Sequence, residues 1–179
     1  MVKKVVIAGV ALIVVGGLAV YGMAASKPDE FHVQRTIYIK ASPEKIYTCL
    51  SNFHNCADWS PYEKLDPQMK RVFKGADSGK GAAYEWSGKG DAGEGRMDIV
   101  DASEPTRVSI KLHFMKPFEA NNMVEYSIEP TTDETKVTWS MHGPSPFMCK
   151  LMQVFFDMDA KIGSDFEAGL GNLKHLMEK

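Results

Sequence analysis

The chain has 179 residues, of which 44% are apolar and 25% charged, and its formal net charge is -2. This length and composition fit one folded domain with a sizeable core plus an appendage. The slightly negative charge leaves no basic surplus for phosphate contacts, which excludes a nucleic-acid partner. An odd number of cysteines argues against a complete disulfide framework, so we interpret Cys49, Cys56 and Cys149 as free thiols.

An uncharged segment follows two lysines at the start of the chain. Residues 5–25 contain no charged side chain and, as a helix, are long enough to span a bilayer. We favour an uncleaved transmembrane anchor over a signal peptide, which has a shorter apolar core and a small-x-small cleavage site. Lys3 and Lys4 place residues 1–4 in the cytoplasm. The predicted location is therefore single-pass in the plasma (inner) membrane, with an extracytoplasmic domain at residues 31–179 after a linker at 26–30.

In the first part of that domain, the sequence pattern predicts a strand followed by two short helices. Apolar residues alternate along residues 31–40, which is typical of a strand with one buried side. Ser42 and Pro43 then start a helix as its N-cap and first helical residue. A second short helix is predicted within residues 52–62 and ends near Trp59.

Six further strands and one long helix are predicted after these helices. The strands are expected at 69–73, 83–86, 95–101, 106–115, 122–129 and 136–141. Short connections between successive strands indicate an antiparallel meander. Between Phe147 and Met177 apolar residues recur in steps of three and four, which predicts one continuous helix over residues 146–179. This α+β chain offers that helix only the concave face of the sheet to pack against.

Several short motifs occur in this order along residues 31–179. They are residues 37–47 (Ile-x-Ile-x-Ala-Ser-Pro-Glu-x-Ile-Tyr), 57–62 (Ala-Asp-Trp-Ser-Pro-Tyr), 81–86 followed by 93–95, and 165–173. In this order they resemble the START-like, helix-grip superfamily (SRPBCC), in particular its bacterial polyketide cyclase/dehydrase and lipid-transport branch. The resemblance implies a curved seven-stranded antiparallel sheet that grips the long C-terminal helix around an apolar cavity. It identifies no reaction, because this fold hosts lipid carriers, receptors, cyclases and cochaperone-like binders.

Aromatic residues dominate the faces that strand alternation turns inward and the segment that would border the cavity entrance. The pattern alone fits a filled core as well as a ligand pocket, and the resemblance favours the pocket. Trp59 and Tyr62 either gate the entrance or fasten the short helices to the sheet. The candidate ligand-binding residues are Trp59, Tyr62, Tyr84, Trp86, Phe114, Tyr126, Trp139 and Phe155.

The favoured function is a membrane-tethered module that binds a hydrophobic small molecule, namely a lipid, an isoprenoid or an aromatic compound, without a cofactor. A cyclase/dehydrase-type enzyme is one alternative, but it needs an acid or base in the cavity, and the inward faces contain only tyrosine and tryptophan as polar groups. A protein-interaction domain with a packed core is the other. We nominate no catalytic residue and no metal ligand, since no histidines or carboxylates have metal-ligand spacing.

Four further positions lead to structural expectations. Arg35 shares its parity with inward residues and would need a partner if it faced the core, although solvent exposure is favoured. Asp157 and Asp159 are expected to be solvated on the polar side of the last helix. Gly169 is expected to let that helix approach the sheet closely.

Overall fold

The computed structural model describes the backbone of residues 2–179, and it describes side chains from Leu12 onward. It contains a seven-stranded antiparallel sheet, in agreement with the predicted helix-grip architecture. The helices are α1 (Val2–Ala25), α2 (Pro43–Leu50), α3 (Cys56–Trp59), α4 (Phe147–Phe155) and α5 (Met158–Met177). The strands are β1 (Glu30–Ile39), β2 (Lys70–Gly75), β3 (Ala82–Ser87), β4 (Glu94–Ser103), β5 (Arg107–Lys116), β6 (Ala120–Pro130) and β7 (Thr135–Pro144). Short 3-10 turns lie at Phe53–Asn55, Pro61–Lys64 and Gly90–Ala92.

The strand order in the sheet is β1-β7-β6-β5-β4-β3-β2. Strands β2 to β7 form the predicted meander, and β1 pairs with β7, from Glu30 opposite Pro144 to Ile39 opposite Thr135. Helix α2 packs over β5 and β6, whereas α5 packs over β1, α3 and the Pro61–Lys64 turn. The core therefore lies between the inner face of the sheet and these helices.

The predicted C-terminal helix over residues 146–179 is wrong in one respect, because the structure divides it into α4 and α5. Phe156 has an extended backbone (φ -129°, ψ 135°), which ends α4. Asp157 is the N-cap of α5, and its carboxylate accepts a hydrogen bond from the Ala160 amide at 2.9 Å. The apolar spacing continues across this break, and the sequence pattern therefore predicted a single helix.

The predicted transmembrane helix at residues 5–25 is also wrong. Among the residues that the structure describes, no helix is long and apolar enough to cross a membrane. Positions 5–8, 10 and 11 of the predicted span, and residues 1–4 before it, lie outside the described side chains. The predicted extracytoplasmic location depended on this span, and nothing in the structure tests it.

Helix α1 packs against α4. The rings of Tyr21 and Phe147 lie 5.2 Å apart between their centroids, and Ala24 is fully buried. Several large apolar side chains of both helices are exposed nonetheless, among them Leu12, Phe147 and Phe155. These two helices therefore form an apolar unit beside the sheet rather than part of its core.

Arg35 attaches the start of α5 to the inner face of the sheet. Its Nη2 lies 2.9 Å from a carboxylate oxygen of Asp159, and its Nε lies 2.8 Å from Glu167. Arg35 is therefore paired and only partly exposed, contrary to the favoured expectation of exposure, whereas Asp159 is solvated as expected, with 60% of its side chain exposed, and also pairs with this arginine. A Cβ on Gly163 would overlap the Arg35 guanidinium, so this glycine provides the space that the arginine needs. The hydrogen bond from Arg35 lowers the pKa of Asp159 below its usual value.

Candidate functional site

Five aromatic side chains meet between the sheet and α5, and we call them the aromatic cluster: Trp59, Tyr62, Tyr126, Trp139 and Phe166. The Trp139 ring stacks on Phe166 with a centroid distance of 4.1 Å and an interplanar angle of 9°. Trp59 meets Trp139 edge-on at 5.4 Å, and Tyr62 meets it edge-on at 6.3 Å. Tyr126 lies 5.4 Å from Trp139 on the neighbouring strand. Trp139 therefore lies at the centre of the cluster.

Backbone geometry explains how the helices hold this cluster. Tyr126 and Trp139 are directly paired across β6 and β7, so both side chains point to the same face. Asn172 on α5 donates a hydrogen bond to the Trp59 carbonyl at 3.0 Å, which joins α3 to α5. A Cβ on Gly169 would lie 2.7 Å from the Trp139 ring and 3.1 Å from Pro61. The expected close approach of Gly169 to the sheet is therefore present.

A second aromatic group lies further along the inner face, toward β2. Tyr84 stacks on Phe73 at 5.1 Å and on Trp86 at 6.0 Å. Trp86 meets Phe114 edge-on at 5.9 Å, and its indole N–H donates to the Ala92 carbonyl at 2.8 Å. The structure therefore gathers the predicted site residues Tyr84, Trp86 and Phe114 into one group, separate from the aromatic cluster.

Two buried indole N–H groups in the aromatic cluster lack an acceptor. Trp59 is 2% exposed and Trp139 4% exposed, and neither Nε1 atom has a hydrogen-bond partner among the described residues. Tyr126 is equally well buried, and this burial raises the pKa of its phenol well above the ordinary value. Because most buried polar groups in folded proteins are paired, these unpaired donors distinguish the cluster from an ordinary packed core.

An ion pair beside the cluster introduces a carboxylate that the sequence reasoning missed. Glu63, in the Pro61–Lys64 turn, has a side chain that is only 9% exposed. It accepts hydrogen bonds from Arg71 Nε at 2.7 Å and from the Tyr84 hydroxyl at 2.7 Å. Burial and this hydrogen bond raise the pKa of Tyr84. Glu63 lies in a 3-10 turn between a helix and a strand. Neither strand nor helix periodicity predicts the direction of a side chain in such a turn, and only the neighbouring aromatic residue, Tyr62, marked this segment as a candidate.

Cys56 lies close to the same carboxylate. Burial, together with the charge of Glu63, raises the pKa of this thiol. Nucleophilic cysteines instead have a lowered pKa and access to solvent. Cys56 is partly exposed, but its raised pKa does not fit a nucleophilic cysteine. All three cysteines are free, with Cys49 buried and Cys149 exposed. Among the described residues, no group of three histidine, cysteine, aspartate or glutamate side chains is arranged to hold a metal ion.

The aromatic side chains fill the space in which the resemblance implied a cavity. The structure forms one depression of about 300 Å³ between α2, α3 and the end of α5, beside Cys49 and Asp58. A wider one of about 560 Å³ lies at the outer edge near Tyr38 and residues 131–134. Neither depression is lined by the aromatic cluster, so the expected apolar cavity is closed in this structure.

The predicted site residues thus fall into three sets. Trp59, Tyr62, Tyr126 and Trp139 belong to the aromatic cluster, and Tyr84, Trp86 and Phe114 to the second group. Phe155 belongs to neither, because it lies on α4 with 64% of its surface exposed. In this structure the Trp59 side chain is buried and packs against Trp139, which connects α3 to the sheet.

Comparisons with solved structures identify the fold. The solution structure of the Aha1 dimer from Colwellia psychrerythraea matches with a TM-score of 0.59 and 17% identity, over 83% of this chain and 96% of that chain. The ginseng major latex-like protein 151 from Panax ginseng matches with a TM-score of 0.58 and 10% identity, over 85% and 100%. A protein from Chromobacterium violaceum matches with a TM-score of 0.58 and 13% identity, over 85% and 99%. No curated protein sequence matches the chain significantly.

Sequence comparison identifies the family. The family model described as polyketide cyclase / dehydrase and lipid transport matches residues 30–178, which is nearly all of the chain that follows α1. The solved structures have too little sequence identity to indicate more than a shared fold, but the family match extends over every strand of the sheet and over α5. The chain therefore belongs to the polyketide cyclase/dehydrase and lipid-transport family of helix-grip proteins.

Proposed function

We propose that the protein binds a hydrophobic small molecule, such as a lipid, an isoprenoid or an aromatic compound, between the sheet and α5. One observation supports this most directly, namely that the indole N–H groups of Trp59 and Trp139 are buried without an acceptor. A buried donor that makes no hydrogen bond is destabilising by about 1–3 kcal/mol. A bound molecule with a suitably placed oxygen removes that cost, and the family description includes lipid transport.

Binding requires the interior to open, since the aromatic cluster fills it in this structure. The Pro61–Lys64 turn is the covering element with the fewest buried residues, because none of its four side chains is fully buried. Tyr62 on this turn is 37% exposed while it contacts Trp139. Movement of this turn would separate Tyr62 from Trp139 and admit a ligand, which then stabilises the open form by its preferential affinity for it.

The proposal is a binding role rather than general acid–base catalysis. Glu63 is a shielded carboxylate in the turn beside the aromatic cluster, and both its oxygens already accept hydrogen bonds, from Arg71 and from Tyr84. A general base needs a free acceptor within reach of the proton that it removes. The residues of the cluster itself are aromatic and provide no other such group.

A second candidate function is protein interaction through a domain with a packed core. The filled interior favours it, and so do the exposed apolar side chains of α1 and α4. These side chains are Leu12, Ile13, Val14, Val15, Leu18, Tyr21, Met23, Phe147, Met148, Met152, Phe155 and Phe156. An exposed apolar patch of this kind is typical of an interaction surface.

Native mass spectrometry of the full chain purified from cell extract tests the binding role. We expect a co-purified small molecule, or binding from a panel of lipids, isoprenoids and aromatic compounds. The variant Trp139→Phe keeps an aromatic ring but removes the N–H, and we expect about tenfold weaker binding of the ligand found. The matched control is Trp86→Phe, whose indole N–H is already bonded to Ala92. No bound species and no response to the panel would exclude the binding role and leave protein interaction as the better candidate.

A further inference from the structure

We propose that the ligand of this interior is uncharged and presents a hydrogen-bond acceptor, such as a carbonyl or ether oxygen, to the indole groups of Trp59 and Trp139. This inference rests on the proposed binding function and specifies its ligand class. Some polar groups that face the interior already have hydrogen-bond partners, and others have none. The ligand class follows from this difference. The unpaired groups determine what a ligand must offer, because those that are paired have nothing to gain from it.

The first arginine on the inner face, Arg71, is fully engaged. It lies opposite Trp86 in the β2–β3 pairing, so its side chain is on the inner face of the sheet. Its Nε donates to the Glu63 carboxylate, Nη1 to the Met69 carbonyl at 2.9 Å and Nη2 to the Glu63 carbonyl at 3.2 Å. All three nitrogens therefore have acceptors, and Glu63 balances the charge.

The second arginine, Arg35, is also neutralised. It lies opposite Trp139 in the β1–β7 pairing and is therefore on the same face as the aromatic cluster. Its guanidinium forms salt bridges with both Asp159 and Glu167, and Nη1 donates to the Gln34 carbonyl at 2.8 Å. One positive charge thus faces two negative ones. A carboxylate or phosphate on a ligand would therefore find no uncompensated cation at either arginine.

The groups that remain unpaired in the aromatic cluster are donors. An indole Nε1–H can only donate, so a matching ligand atom must be an acceptor. A carbonyl oxygen has two lone pairs and can accept from one or both indoles. Burying a charged ligand in this aromatic surrounding without a counter-ion would be strongly unfavourable. An uncharged apolar molecule with an acceptor oxygen satisfies the donors and avoids that cost.

Three naphthalene probes of similar shape test this inference in the full chain. 2-Acetylnaphthalene has a neutral carbonyl, 2-naphthoate has a carboxylate, and 2-isopropylnaphthalene has neither. Affinities are measured by quenching of tryptophan fluorescence and corrected for the water-to-octanol partition of each probe. We expect the ketone to bind at least tenfold more tightly than the naphthoate, and about tenfold more tightly than the hydrocarbon after the correction.

The variant Glu63→Gln provides a gain-of-function test. The amide keeps an oxygen for the Tyr84 hydroxyl but removes the charge that balances Arg71. We expect naphthoate to bind at least tenfold more tightly to this variant than to the wild type, with little change for the ketone. The matched control is Glu85→Gln, because Glu85 pairs with Lys74 and Arg96 one residue along β3 from Tyr84, on the outer face of the sheet. This control should leave all three affinities unchanged.

The possible outcomes separate the inference from the proposed function. If the wild type binds naphthoate as tightly as the ketone, or binds the hydrocarbon as tightly after correction, the inference is overturned while a binding role stands. If none of the three probes binds, the inference is overturned, and native mass spectrometry decides the binding role separately. The ranking of probes on the wild type needs no variant, so it remains decisive even if Glu63→Gln does not fold.

Discussion

At the scale of single residues, Glu63 determines the polarity of the interior. The Glu63 carboxylate, in the Pro61–Lys64 turn, accepts hydrogen bonds of 2.7 Å each from Arg71 on β2 and from Tyr84 on β3. Removing one partner of such a shielded pair leaves the other charge uncompensated, which is more costly than losing an exposed salt bridge. Glu63 therefore stabilises the closed position of the Pro61–Lys64 turn, which ligand entry has to overcome, and it also sets the charge that a ligand meets.

A single methyl group added at Gly169 is predicted to disturb the contact between α5 and the sheet. In Gly169→Ala the new Cβ would lie 2.7 Å from Trp139 and 3.1 Å from Pro61. Overpacking of a core by added carbon typically costs about 1–3 kcal/mol, so we expect the free energy of unfolding to fall by about that amount. Gly169→Leu should be more destabilising still. Chemical denaturation monitored by circular dichroism measures the change.

Gly171, on the same helix, is the matched control for Gly169. A Cβ there would meet nothing within 4 Å, so Gly171→Ala tests helix propensity without the packing change. We expect this variant to gain up to about 1 kcal/mol, because alanine favours helix over glycine. Equal effects of the two substitutions would contradict the close contact between α5 and Trp139.

Residue positions could be predicted from the sequence where a regular period applies. Strand alternation placed Tyr84, Tyr126 and Trp139 on the inner face, and the structure agrees. The same reasoning could not place Glu63, since a 3-10 turn has neither period. It also could not distinguish a filled interior from a cavity, because the same aromatic side chains line both.

At the scale of elements, the boundary between α4 and α5 is set by two residues. Phe156 leaves the helical region, and Asp157 then caps the new helix through its bond to the Ala160 amide. The sequence contains the capping residue, but an aspartate in a continuous apolar stripe also fits a solvated helix position. Because the family resemblance implied one long helix, the predicted helix continued through Asp157 despite this capping residue.

The variant Asp157→Ala tests this boundary. Removal of the capping carboxylate leaves the Ala160 amide without its acceptor, so we expect a loss of about 1 kcal/mol in the free energy of unfolding. Asp77→Ala, at an exposed turn position, is the control and should change stability by less than about 0.5 kcal/mol. Thermal unfolding of both variants gives the comparison, and an unchanged melting temperature for Asp157→Ala would argue against the cap.

At the scale of the whole molecule, buried thiols make stability depend on alkaline pH. Burial, with a contribution from the charge of Asp58, raises the pKa of Cys49 from 9.0 to about 11. Because the folded-state pKa lies above the unfolded value, the unfolded chain loses this proton first. The contribution of the Cys49 thiol to the free energy of unfolding is therefore fully present below pH 9 and is lost as the pH rises through about 11.

We therefore expect the wild type to lose more stability between pH 8 and pH 11 than the variant Cys49→Ala, by about 2 kcal/mol. Urea denaturation at several pH values measures this difference. Cys149→Ala is the control, because Cys149 is exposed, and its loss should match that of the wild type. Parallel losses in all three proteins would exclude Cys49 as the source of the alkaline sensitivity.

The pairing of β1 with β7 has a consequence for how the chain folds. Strands β2 to β7 each pair with a neighbour in sequence, whereas Ile39 must find Thr135 after all the other strands have been made. Closing so long a loop is entropically costly, and contacts of high sequence separation slow folding. During synthesis, the apolar face of β1 can be covered only after the last strand and α5 have been made. The first strand to leave the ribosome is thus among the last to be completed in the native sheet.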